Sequence, residues 1–463
     1  MKTAIINGKV VTETSVIQAT LLLENGKIQA ILSPESPLDP SCQVIDAAGQ
    51  YVVPGGIDGH VHFGGFGDIP IADDFYTGSK AALAGGTTTV VDFCEPAEGE
   101  NPLACIARRK DAGKDAAVDY ALHFTFTEGY RHELPLLPQI MEEGITNFKA
   151  YTYYPYTSLL PGDFLTIMET IHDKGSLLVH AEEKSIIDCM KERFPPESSD
   201  MTALSLTRPN IAEQLAVENV LAIAKLTGTR LCIAHTSSKE TVAILERERA
   251  AGNHSFYLES CPHYMHFTRK NMEGPMGALY TMNPPLRSQQ DADALLAAMI
   301  QEEISILSTD HCPYSKNYKL GTNYETVPCG VDGVQTRMQY CFSEAVIKGG
   351  LSMPAFARMT ATNAAKFYGL YPQKGVIAVG SDADLAFFDP EPSWTYSMKA
   401  VAGATDYSIF DGVPLRGKCT MTIKGGATLN HPTTKAVNVK GGKVLVENAT
   451  ILSDKYAIYA AKG

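Results

Sequence analysis

The chain has 463 residues, 44% hydrophobic and 20% charged, the balance of a soluble globular enzyme with one large domain and a satellite. A net charge of −13 and a pI near 5.4 argue against binding a phosphate backbone, which needs clustered Lys and Arg. No apolar run reaches membrane-spanning length, so neither nucleic acid nor a lipid bilayer is an expected partner.

The first segment, MKTAIINGKVVTETSV, alternates like a strand and lacks the basic and apolar regions of a secretory signal. The ten Cys are scattered singly, with no CxxC pair, and read as reduced thiols of a cytoplasmic protein. Up to residue 53 the pattern is short strands (TAIINGKVV, ATLLLENGKIQAIL, QVIDAAGQYVV) punctuated by Asn7-Gly8 and Asn25-Gly26, a dipeptide that favours tight hairpins. The far end reads alike in ADLAFFDP, TMTIKGGATL and AVNVKGGKVLVENATI. Two β-rich ends around a different middle predict one small β-sandwich built from residues 1–53 and 376–463.

The middle, residues 54–375, alternates strand-length apolar runs with helical stretches. Its candidate strands are GIDGHVHF, TTTVVDF, YALHFTF, NFKAY, SLLVHAE, RLCIAHT, SFYLES and ISILSTDH. Helical stretches between them include ADDFYTGSKAALAGG, IAEQLAVENVLAIAKLTG and DADALLAAMIQEE. Eight βα units predict a TIM-type (β/α)8 barrel. An open doubly wound sheet is the competing layout, but no GxGxxG follows the first strand. The longest irregular segment, Cys312 to Val334, is polar and Gly-rich and is expected to cover a substrate.

Metal-compatible side chains cluster at the ends of these strands. His60 and His62 close the first, Lys149 lies in the fourth, His180 closes the fifth, His235 the sixth and Asp310 the eighth. In a barrel all those ends converge on one mouth. His60 and His62 are two apart, so on a strand both point to one face and can chelate one ion. A lone apolar-flanked His usually fits a satisfied core, but four of the twelve His at strand ends fit a metal centre better. Lys149 is ambiguous on spacing alone. It fits a Lys paired to an acid, and equally a desolvated amine that captures carbon dioxide and becomes an anionic carbamate.

In order, PGGIDGHVHF, FKAYTYYP, VHAEE, IAHTSSKE, ESCPHY, NPPLR and STDHCP resemble the hydantoinase and dihydropyrimidinase branch of the amidohydrolase superfamily. The resemblance runs nearly end to end, through GSDADLAFFDP. It implies one ion held by His60, His62, carboxylated Lys149 and Asp310, and a second held by His180, His235 and the shared carbamate. Zinc is the usual metal, although manganese, cobalt or nickel suit the same donors. A hydroxide between the ions would open a cyclic amide or imide of the hydantoin or dihydropyrimidine type. The Tyr154 phenol would stabilise the oxyanion, and Asp310 would move the proton.

Main-chain groups near Asn283 and Cys329 would hold the ring, although Ser and Asn are usual at those two positions. Phe63, Phe66, Tyr153 and Tyr154 are expected to form an apolar pocket for a ring substituent. Relatives are usually homotetramers. Three rival readings come with the resemblance. Dihydroorotase needs an Arg just after the HxH, and HVHFGGFGD has none. Allantoinase is disfavoured by DDFYTG after the first strand. A metal-free assembly scaffold is disfavoured because all six ligand positions are filled.

Overall fold

The computed structural model describes residues 2–65, 69–195, 198–425 and 427–430. The predicted strand in AVNVKGGKVLVENATI lies outside the described residues.

Five strands come first: β1 (Lys2–Val11), β2 (Val16–Glu24), β3 (Lys27–Leu32), β4 (Gln43–Asp46) and β5 (Tyr51–Pro54). The barrel follows with β6 (Gly56–Asp58), β7 (Thr87–Cys94), β8 (Asp119–Thr125) and β9 (Asn147–Tyr151). It continues with β10 (Ser176–His180), β11 (Arg230–Ile233), β12 (Phe256–Ser260) and β13 (Ile306–Leu307). Three more strands complete the described chain: β14 (Leu385–Thr395), β15 (Pro414–Lys424) and β16 (Ala427–Asn430).

Strands β6 to β13 pair in sequence order as one parallel sheet. Closure comes from residues past the ends of β6 and β13, where Val61 and His311 form a parallel bridge. His62 N–H donates to the His311 carbonyl at 2.9 Å there. The fold is therefore a (β/α)8 barrel. Its strands read as unbroken apolar runs because both faces are covered, and every residue of β7, β9 and β10 is buried. Each fully buried Val or Leu contributes about 1.5–3 kcal/mol.

The outer helices begin where side chains can cap them. Asp74 and Thr77 form a capping box before Phe75–Ala84, and Ser288 with Asp291 does the same before Gln289–Ile300. Within Asn210–Thr227, Ala212, Ala216, Val217, Val220, Leu221 and Ala224 make the buried stripe that seats the helix on the barrel.

The strands of the two chain ends join in one sheet of order β16-β15-β14-β5-β1-β2-β3, with β4 branching from β1. Antiparallel pairing of β5 with β14 brings Val52 opposite Phe387 and joins the termini. Ile5, Val10, Leu21, Ile28, Val52, Leu385, Phe387 and Ile423 share the apolar cluster of this layer. Gly55 carries the chain from β5 into β6, so the sheet anchors the strand from which the first two histidines project.

Candidate active site

The C-terminal ends of the barrel strands open into a cavity of about 360 Å³. His60, His62, Lys149, His180, His235, Asp310, Tyr154, Asn283 and Cys329 all line it. Lys149 lies inside β9 and His180 is the last residue of β10. His60, His62, His235 and Asp310 fall just beyond β6, β11 and β13. His235 (φ 31°) and Asp310 (φ 49°) both adopt left-handed backbone, which is costly for non-glycine residues and recurs where a side chain must be aimed.

Ligand atoms of His60, His235 and Asp310 lie within 4.8 Å of one another. Asp310 Oδ1 is 3.2 Å from His60 Nε2 and 3.0 Å from His62 Nε2. Burial alone would raise the Asp310 carboxyl, but His60 and His62 outweigh it and hold the group well below the carboxylate range. His235 also meets a fourth imidazole, with His180 Nδ1 2.9 Å from its Nε2.

Buried acids orient two of these rings. His60 Nδ1 donates to Glu259 Oε1 at 2.8 Å. Glu259 also accepts from His235 N–H at 3.1 Å and from Ser308 Oγ at 2.9 Å. His180 Nε2 donates to Glu182 Oε2 at 2.8 Å, and the Arg208 guanidinium binds the same oxygen. Burial would raise the Glu182 carboxyl, but Arg208 and then His180 bring it down to about 2. Burial holds His60 and His235 well below the ordinary imidazole range and lowers His180 too.

These facts fit a metal centre. A neutral imidazole carries one N–H, and His60 gives its N–H to Glu259, so its Nε2 lone pair faces an ionised carboxylate. His180 gives its N–H to Glu182, so its Nδ1 is an acceptor, open to a cation or to an N–H on His235 Nε2. The His60 lone pair turned toward a carboxylate is unfavourable unless a cation lies between them. Lys149 adds a second anomaly. It is fully buried, and its Nζ has no hydrogen-bond partner among the described residues. The amine instead lies 5.2 Å from the Phe93 ring and 4.9 Å from the Tyr151 ring. Burial lowers it to about 8, so a free amine is accessible near neutral pH.

Tyr154 stands at the edge of this group. Asn283 Nδ2 donates to its phenol oxygen at 3.2 Å, which leaves the phenol proton available to the cavity. Burial raises the phenol above its usual range and keeps it a donor. Ser158 fixes the loop, accepting from Tyr154 N–H at 2.9 Å and donating to its carbonyl at 2.6 Å. Cys329 also lines the cavity, its thiol pushed up by burial, which suits a wall residue and not a nucleophile. Next to it, Gly330 has φ 152°, and a Cβ there would meet the Cys312 carbonyl oxygen at 2.2 Å. Tyr314, Tyr324, Glu325, Val327 and Pro328 from the irregular 312–334 segment also line the cavity.

The structure corrects the expected substituent pocket. Phe63 is fully buried away from the cavity, its ring edge-on to Phe75 and His311 at 5.7 and 5.6 Å. Arg109 donates to the Phe63 carbonyl at 2.8 Å and Asp92 accepts from its N–H at 2.7 Å, which turns the side chain inward. Tyr153 lies under the cations of Arg208, Lys184 and Lys191 instead of in the pocket. Phe66 lies outside the described residues. Glu259, Glu182, Arg208 and Glu95 are site residues that the sequence reading did not single out. The available signal was the two-residue spacing of His180 and Glu182, which on a strand shares one face.

A model of the amidohydrolase family matches residues 51–429. The chain is similar to a D-hydantoinase of Ralstonia pickettii, 34% identical over 458 residues, 94% of this chain and 97% of that protein. A D-phenylhydantoinase of Escherichia coli O1:K1 / APEC is 33% identical over 93% of this chain and 94% of its own length. Among solved structures, the dihydropyrimidinase from Brevibacillus agri NCHU1002 aligns with a TM-score of 0.88 at 33% identity, covering 92% of this chain and 95% of that one. An L-hydantoinase (dihydropyrimidinase) from Arthrobacter aurescens gives a TM-score of 0.84 at 26% identity, covering 96% and 97%. The chain belongs to the amidohydrolase family, in its hydantoinase and dihydropyrimidinase branch, and is a hydrolase.

Proposed function

We propose that this enzyme opens five- or six-membered cyclic amides and imides, hydantoins and dihydropyrimidines among them, at a pair of divalent ions. The supporting observation is the buried Lys149 amine, without a hydrogen-bond partner among the described residues, in a cavity it shares with four imidazoles and Asp310. As a carbamate, Lys149 would join His60, His62 and Asp310 around one ion and His180 and His235 around the other. Zinc suits this set of nitrogen and oxygen donors. Bound there, two divalent charges lower the pKa of a shared water toward neutrality.

The protein's own groups do the rest. Asp310, kept ionised by His60 and His62, takes the proton of the attacking water and delivers it to the ring nitrogen as the carbon–nitrogen bond breaks. Tyr154 donates a hydrogen bond from its phenol to the carbonyl oxygen as that oxygen gains charge. The main chain at Asn283 and Cys329 seats the ring from the rim, and Glu259 and Glu182 hold the His60 and His180 tautomers that leave lone pairs free. Arg208 is a cation in the cavity, as a carboxylate-bearing ring would need, but Glu182 already binds it.

Side-by-side turnover of hydantoin, phenylhydantoin, dihydrouracil, allantoin and dihydroorotate tests the reading. Opening of the first three supports it, and opening of only the last two contradicts it.

A further inference from the structure

Polar groups cross the cavity in a line. Asn283 Nδ2 meets the Tyr154 phenol at 3.2 Å, the Tyr154 and Tyr151 rings are 5.3 Å apart, and the Tyr151 hydroxyl lies 3.5 Å from Glu95 Oε2. Glu95 therefore lies beyond Tyr151 from Tyr154 and Asn283, and it lines the same cavity as His62 and Ile69.

Its carboxylate differs from every other charged group of the cavity. Arg208 is paired with Glu182, Lys191 lies 3.9 Å from Glu325, and Asp310 is held by His60 and His62. Lys149 becomes an anion in the function proposed above. Glu95 forms no ion pair among the described residues, and its one hydrogen bond, from Tyr151, is long. It is also outside the set of converging ligand atoms formed by His60, His235 and Asp310. Burial raises the Glu95 carboxyl and the nearby His62 and Lys149 only partly offset that, so an apolar ligand beside it would deepen the cost. A ligand cation removes it, while Ile69 and the Tyr151 ring offer apolar wall to an alkyl stem.

We propose that Glu95 selects cyclic amides whose ring substituent ends in a cation, an ammonium or guanidinium on a short alkyl stem. This rests on the ring-opening function proposed above. It assigns the cavity beyond Tyr151 to a basic substituent in place of an aromatic or aliphatic one.

The test compares aminobutyl-substituted and pentyl-substituted hydantoin, which are nearly isosteric, by turnover and by calorimetric binding at neutral pH. The aminobutyl ring is expected to show about tenfold higher kcat/KM and about tenfold tighter binding. In Glu95→Gln both ratios fall to about one while metal content is retained. Equal values for the two rings in the unaltered enzyme overturn the proposal, whether or not the variant folds. A preference that survives in Glu95→Gln overturns it, and so does loss of metal from that variant, which would make Glu95 a ligand. Tighter binding of the amine with neither ring opened upholds Glu95 and refutes the ring-opening function. Equal opening of both rings does the reverse.

Discussion

His60 Nδ1 lies 2.8 Å from Glu259 Oε1, and both side chains are buried. That bond fixes which nitrogen of His60 carries the proton, and so which one is left for a cation. The same carboxylate accepts from the main chain of His235, so one acid steadies both sides of the centre.

Replacing that acid with its amide therefore weakens the centre without removing a ligand. Glu259→Gln is expected to lower metal affinity and kcat/KM by about 10–100-fold. Metal retained after dialysis against a graded chelator, followed with activity, checks this. Unchanged retention would mean that His60 needs no partner.

In the proposed reaction Tyr154 acts through its hydroxyl alone, since its ring packing against Tyr151 and His180 survives loss of the oxygen. Tyr154→Phe is expected to cut kcat by about 10²–10³-fold, with a small change in KM and full metal content. Steady-state kinetics on the best ring substrate reads this. A rise in KM at unchanged kcat would make the phenol a binding group only.

The Glu182–Arg208 pair predicts an acid-sensitive element. Glu182 is held at about 2, below its ordinary 4.5. A depressed folded value means that the stabilisation is fully present above about pH 4.5 and is lost as pH falls through 2. The stability gap between the unaltered protein and Glu182→Gln should thus be widest above pH 4.5 and narrow by roughly 3 kcal/mol toward pH 2. Urea unfolding of chelator-treated protein at several pH values measures it, and a gap independent of pH contradicts the pairing.

The barrel was legible because its strands are buried on both faces, so TTTVVDF and NFKAY appear as unbroken apolar runs between capped helices. The histidines and Asp310 were legible because strand ends converge in such a barrel. Glu259 was not, because its partner His60 is 199 residues away and one acid in SFYLES reads as polar punctuation. Phe63 misled for a related reason. It adjoins His62, yet Arg109 and Asp92 clamp its backbone so that the ring enters the interior, and neither contact is local in sequence. Lys149 gave its position but not its role. The distinguishing fact, a buried amine with no acceptor among the described residues, exists only once the chain is folded.

Metal stoichiometry of Lys149→Ala, measured by inductively coupled plasma mass spectrometry beside the unaltered enzyme, bears most directly on the proposed two-ion centre. Two ions per chain in the unaltered enzyme, one or fewer in Lys149→Ala, and loss of ring opening are expected. Two ions and full activity without the lysine would show that no carbamate bridge is needed.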